Sequence, residues 1–120
     1  MIIKPDGPYE IMARMEETND KLSMKIDELS DLVQNMANAE REYNMAYARK
    51  LLTLKSEGCA VTTAKELAKG DKFVADQLFQ FRVSEGVYDA CKKKIASLNT
   101  SIDTDRSFLS WRKQEYSQNA

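Results

Sequence analysis

The chain contains no histidine. That absence removes the commonest general base, the usual partner of a serine or cysteine nucleophile, and the ligands that complete most zinc sites. Its two cysteines, Cys59 and Cys91, form no CxxC pair, so they read as free thiols of a reducing compartment. No glycine-rich phosphate loop is present either. Only four glycines and two prolines punctuate 120 residues, too few turn signals for a sandwich or barrel of many short strands. No apolar run approaches the roughly 20 residues a membrane span needs. The N-terminal MIIKPDGPYE lacks the basic flank and apolar core of a signal peptide. A cytosolic protein with no membrane partner is therefore expected. Eighteen basic and nineteen acidic side chains leave a net charge of −1, which gives no overall electrostatic footprint for nucleic acid.

What the chain does contain is helix signal, at 42% hydrophobic and 31% charged residues. In PDGP, Asp6 or Gly7 can cap a helix whose first turn accepts Pro8. Beyond it, Ile11, Met15, Leu22, Ile26, Leu29, Val33, Met36, Tyr43, Tyr47, Leu51 and Leu54 recur at helical spacing, with Thr18 and Glu40 filling the gaps. The mean step is near 3.58 residues, so one face of a single helix over 8–57 stays apolar. Gly58 stops it, as a glycine does at a left-handed C-cap. Thr63-Ala-Lys-Glu66 reads as a capping box for a short helix over 63–69. Gly70 ends that helix, and Asp71 is placed to cap a second long one over 72–116. The apolar stripe of that helix runs through Val74, Leu78, Phe81, Tyr88, Cys91, Ile95, Leu98, Ile102 and Leu109, with gaps at Ser84, Glu85 and Asp105. Gly86 and the stretch NTSIDTD (99–105) are weak helix formers where it could kink.

The expected architecture is all-α: one domain, a long antiparallel helical hairpin resembling a coiled coil, with a short third helix at its tip, a lead-in over 1–7 and a tail over 117–120. A connector this short forces the long helices antiparallel. Pairing Leu54 with Val74 sets the register, placing Tyr43 beside Glu85 and Gly86, Val33 beside Ile95, Ile26 beside Ile102 and Asn19 beside Leu109. Cys59 and Cys91 then lie about 30 Å apart along the rod, out of reach of a disulfide.

Two apolar sets remain outside the seam. Near the tip, Met45, Ala48 and Leu52 face outward on one helix and Phe79, Val83 and Val87 on the other; Val61, Ala64 and Leu67 of the short helix are expected to cover part of them. Farther down, Met12, Met24, Leu32, Phe108 and Trp111 have no third helix to cover them. That points to self-association, a homodimer or higher oligomer. Charge is also uneven along the chain. Residues 8–40 carry a net −5, whereas 41–72 carry a net +3 from Arg41, Arg49, Lys50, Lys55, Lys65, Lys69 and Lys72 against four acids. A basic tip of this kind can meet nucleic-acid phosphates, although no exposed aromatic is expected among its lysines. One chemical alternative rests on Glu17-Thr-Asn-Asp20 and Glu28-Leu-Ser-Asp31, whose ExxD spacing is the one that all-helical nucleotide pyrophosphohydrolases use to hold magnesium. In the expected register Asp103 and Asp105 lie across from residues 25 and 23. Asp20, Asp27 and Asp31 fall off the apolar stripe, toward solvent, so no catalytic, cofactor-binding or metal-binding residue is assigned and the protein is read as not an enzyme.

The segments YARKLLTLKSEG, VTTAKELAKGD and FVADQLF resemble small all-helical proteins of phages and prophages of Gram-positive bacteria, in which a Y-A-x-x-L-L…E-G…L-A-(K/R)-G segment joins two helices. The likeness covers residues 43–95, with Tyr47, Gly58, Leu67, Gly70 and Val74 on the pattern. It implies a bacterial host cytoplasm, a genetic setting of phage DNA replication or recombination, and no catalytic residues. The reading from sequence is a non-enzymatic, oligomeric helical interaction or accessory protein whose partners are itself and another phage or host protein. The alternative is a nucleic-acid-binding accessory factor that uses the basic tip.

Overall fold

The computed structural model describes residues 7–118; the start of the expected lead-in and the last two residues of the expected tail lie outside them. Three helices follow one another: α1 (Pro8–Ser56), α2 (Val61–Gly70) and α3 (Lys72–Gln118). The all-α hairpin with a short third helix is thus the observed fold, and no strand occurs among the described residues. Its helices are punctuated as their end residues dictate. Pro8 occupies the first position of α1, and the Gly7 carbonyl accepts the amide of Ile11 at 3.1 Å. At the other end Gly58 takes φ +93°. The Gly58 amide donates to the Lys55 carbonyl and the Cys59 amide to that of Leu54, and Cys59 packs against the cluster of Leu54, Ala64 and Ala68. This is the paired closure and apolar contact of a Schellman motif.

α2 starts earlier than expected. The Thr63–Glu66 capping box does not form; Ala60 is the N-cap, without a side-chain bond, and its carbonyl accepts from Ala64 at 2.8 Å. Packing sets this phase, because Ala64 and Ala68 lie one turn apart on the face of α2 that is wholly buried against Leu54, Tyr47 and Leu51. Asp71 then serves two helices. Its amide donates to the Ala68 carbonyl at 3.2 Å, closing α2, and its carboxylate accepts from the Val74 amide at 3.2 Å, opening α3. α3 runs unbroken through 99–105, where the Thr100 hydroxyl donates to the Ala96 carbonyl.

Two compact units follow from the contacts: one joins the chain up to Glu28 with the chain from Cys91 onward, and the other spans Leu29–Ala90. Within the first, Arg14 meets Asp105 and the Cys91 thiol donates to the Lys25 carbonyl at 3.5 Å. Higher numbers on α1 meet lower numbers on α3, so the two helices run antiparallel here. The second unit shows the same sense. The Tyr43 ring stacks on Phe81 at 6.4 Å, and Lys50 pairs with Asp71.

These contacts correct the expected register. Tyr43 faces Phe81 rather than Glu85 and Gly86, and a Cβ built on Gly86 meets nothing within 4 Å, so no bulky neighbour explains that glycine. Opposite Lys25 lies Cys91, not Asp103. The seam of α1 also differs by one residue at several steps. Between Ile11 and Lys50 the buried or half-buried positions are 11, 15, 18, 22, 25, 29, 32, 36, 39, 43, 46 and 50, alternating steps of four and three, with Tyr47 in addition; the alternation is the heptad spacing of a coiled coil. Ile26 and Val33, expected in the seam, are exposed, while Lys25 and Leu32 take those places. On α3 the same repeat passes through Ser84 and Asp105.

Candidate functional site

Asp105 is the one buried charged residue among those described. It sits at a seam position that the repeat would give to an apolar side chain. Arg14 reaches it from α1: Nη2 donates to Oδ1 at 2.8 Å, and Nε donates to Oδ1 at 3.1 Å and Oδ2 at 3.2 Å. The Asp105 side chain is 8% exposed and that of Arg14 44%, so the carboxylate is withdrawn from water while the guanidinium straddles the boundary. A fork of this kind fixes both distance and direction. Around it lies an open groove of about 540 Å³, lined on one side by Thr18 and Lys21 and on the other by Lys94, Ser101 and Thr104.

The carboxylates of the magnesium alternative are dispersed by the same register. Asp105 is held by Arg14, Glu17 lies 3.4 Å from Lys21, Glu28 2.9 Å from Lys25, and Asp103 3.5 Å from Arg106. Among the described residues no three of the metal-binding side-chain types converge. The Lys25 ammonium is held above its ordinary pKa first by its hydrogen bond to Glu28 and then by that carboxylate's charge; Asp76 acts on Lys72 in the same way. Both are pairs along one helix face.

The predicted self-association residues are mostly exposed. Met24 is 71% accessible, Trp111 56%, Met12 51% and Phe108 50%. Leu32 departs from the expectation: the seam shift tucks it halfway into the hairpin, where it lines a small hollow with Asn35, Val83, Ser84 and Val87. The outward set near the tip is not covered by α2. Because Ala64 and Ala68 point inward, Val61 and Leu67 face water, and Met45, Leu52, Phe79, Val83 and Val87 remain exposed.

Of the tip bases, Lys50 pairs with Asp71 at 3.5 Å, Lys69 with Glu66 at 3.6 Å and Lys72 with Asp76 at 2.8 Å. No ion pair among the described residues involves Arg41, Arg49, Lys55 or Lys65. A second correction concerns aromatics. Phe73, the second residue of α3, is 60% exposed and lines a hollow of about 240 Å³ together with Ala46, Arg49, Lys50, Thr53, Asp71 and Val74. The sequence signal was available: Phe73 immediately precedes the seam residue Val74, about 100° away around the helix, which turns it off the centre of the inward face.

Both thiols are free; Cys91 is buried and Cys59 half-buried. Among the described residues no helix is long and apolar enough to cross a membrane. Compared with family models, curated proteins and solved structures, the chain matches none.

Proposed function

We propose that the protein is a non-enzymatic, self-associating helical module, encoded by a phage or prophage, that works in the cytoplasm of a bacterial host as an interaction or accessory factor. The observation that carries this reading is the exposure of Met12, Met24, Phe108 and Trp111 within one compact unit. Four large apolar side chains left in water within one unit favour burial against another chain. Charge makes a second copy a fitting cover. In that unit the α1 segment carries six acids against three bases, and the α3 segment from Cys91 carries six bases against three acids. A two-fold arrangement that lays α1 of one protomer along α3 of its partner therefore brings opposite charges together twice.

Sedimentation velocity over a range of micromolar concentrations tests this. Reversible dimerisation is expected, weakened by Met24→Glu or Trp111→Glu and by raised salt. A strict monomer at all concentrations refutes it.

A further inference from the structure

We infer that the tip of the hairpin binds single-stranded nucleic acid, with one base stacked on Phe73 and the adjoining phosphate held by Arg49 and Lys50. The inference does not rest on self-association, and three independent observations converge on it. First, Phe73 presents most of its ring to water at the start of α3, next to the junction that Asp71 makes with α2. A phenyl ring in that position contributes little to the core, whereas an exposed aromatic is a sequence-tolerant platform for any base.

Second, the ring forms one wall of a hollow of about 240 Å³. That is smaller than the sites that enclose whole drug-sized ligands, about 300–1,000 Å³, and suits a flat fragment entering from solvent. Third, the cations of the hollow are available. Arg49 is exposed and in no ion pair among the described residues, and its flat guanidinium can contact a phosphate through two donors. Lys50 spans 3.5 Å to Asp71, long enough to turn toward an incoming phosphate. The Asp71 carboxylate, the one acid in the hollow, is tied to the start of α3 by the Val74 amide. It bars a phosphate from the helix end itself and directs the backbone toward Arg49. A duplex keeps its bases paired and offers no free face to Phe73, so the ligand class is single-stranded.

The test uses the full chain and a fluorescently labelled oligothymidylate of about 20 nucleotides, with a duplex of equal length as control. Anisotropy titrations run at about 50 and 200 mM salt. The expected result is binding of the single strand in preference to the duplex. Phe73→Ala should weaken it about ten-fold or more, and Phe73→Trp should retain it. Arg49→Gln should weaken binding and lower the salt slope by about 0.7, the value of one lost phosphate contact. Both replaced side chains lie at the surface, and unchanged helical melting confirms each variant's fold. No binding at low salt overturns the inference. So does equal binding by Phe73→Ala and the native chain, or a duplex bound as tightly as the single strand. An effect of Phe73→Ala on sedimentation alone also overturns it, because the ring would then belong to a protein contact.

Discussion

Removing the cation from the Arg14–Asp105 pair should cost more than removing the anion, because burial is unequal. In Arg14→Ala the carboxylate stays in place at 8% exposure without its counter-charge. Stranding one partner of a fully buried pair costs about 3–5 kcal/mol. Arg14 is 44% exposed, so the pair is partly screened and a lower figure of about 2–3 kcal/mol applies. In Asp105→Ala the stranded group is the guanidinium, which can swing into water, leaving a loss of about 1–2 kcal/mol. For a chain of this length each kcal/mol moves the melting temperature by about 4 °C, so the two variants should melt about 10 °C and 6 °C below the native protein. The double replacement Arg14→Met with Asp105→Leu restores an apolar heptad step. It should recover to within about 1 kcal/mol of native or exceed it, giving a favourable coupling energy of about 2 kcal/mol or more. Thermal unfolding by circular dichroism reads all three. Additive losses, or single losses no larger than the few tenths of a kcal/mol of an exposed pair, would show that Asp105 does not occupy the seam.

Other outcomes follow from the same packing. Gly58→Ala meets no steric neighbour but must adopt φ +93°, so a destabilisation of about 1–2 kcal/mol is expected from backbone strain alone. Gly86→Ala, within α3 and also in open space, should instead stabilise by about 0.5–1 kcal/mol; denaturant melts distinguish the two signs. Ala68→Leu should dislodge α2 at a cost of about 1–3 kcal/mol, because Ala68 is fully enclosed, and amide exchange in α2 should quicken. The Lys72–Asp76 pair raises the lysine pKa above 10.5. Its contribution is therefore complete below the ordinary ammonium pKa and disappears only as pH climbs through the raised value. Melting temperatures of native and Lys72→Met proteins should differ by the same amount throughout the neutral range and converge in strong alkali.

Helix content, the Gly58 stop and the Asp71 cap of α3 were legible because each depends on local backbone chemistry; that Asp71 also closes α2, with Gly70 still helical, was not. The register was not, and two physical reasons account for it. Ile26 outranks Lys25 in hydrophobicity and Val33 is about as apolar as Leu32, so a stripe chosen by polarity drifts toward a step of 3.58. Packing against a second helix imposes the heptad, in which Lys25 lies along the Cys91 thiol. Polar residues in the stripe were also read as gaps. Asp105 is instead a seam member, because a cation on the other helix meets it, and a periodicity argument along one helix has no access to that partner. The α2 boundary failed for a related reason: burial of Ala64 and Ala68 fixed its phase more strongly than the Thr63 hydroxyl could. At the candidate tip site the basic residues were visible in the sequence. The exposure of Phe73 depended on which neighbour, Phe73 or Val74, the seam admitted.

The antiparallel register is most directly tested by nuclear Overhauser contacts in protein labelled at its tyrosine and phenylalanine rings. A cross-peak between Tyr43 and Phe81, whose ring centres lie 6.4 Å apart, is the predicted result. Contacts from Tyr43 to the α-protons of Gly86, with none to Phe81, would contradict it.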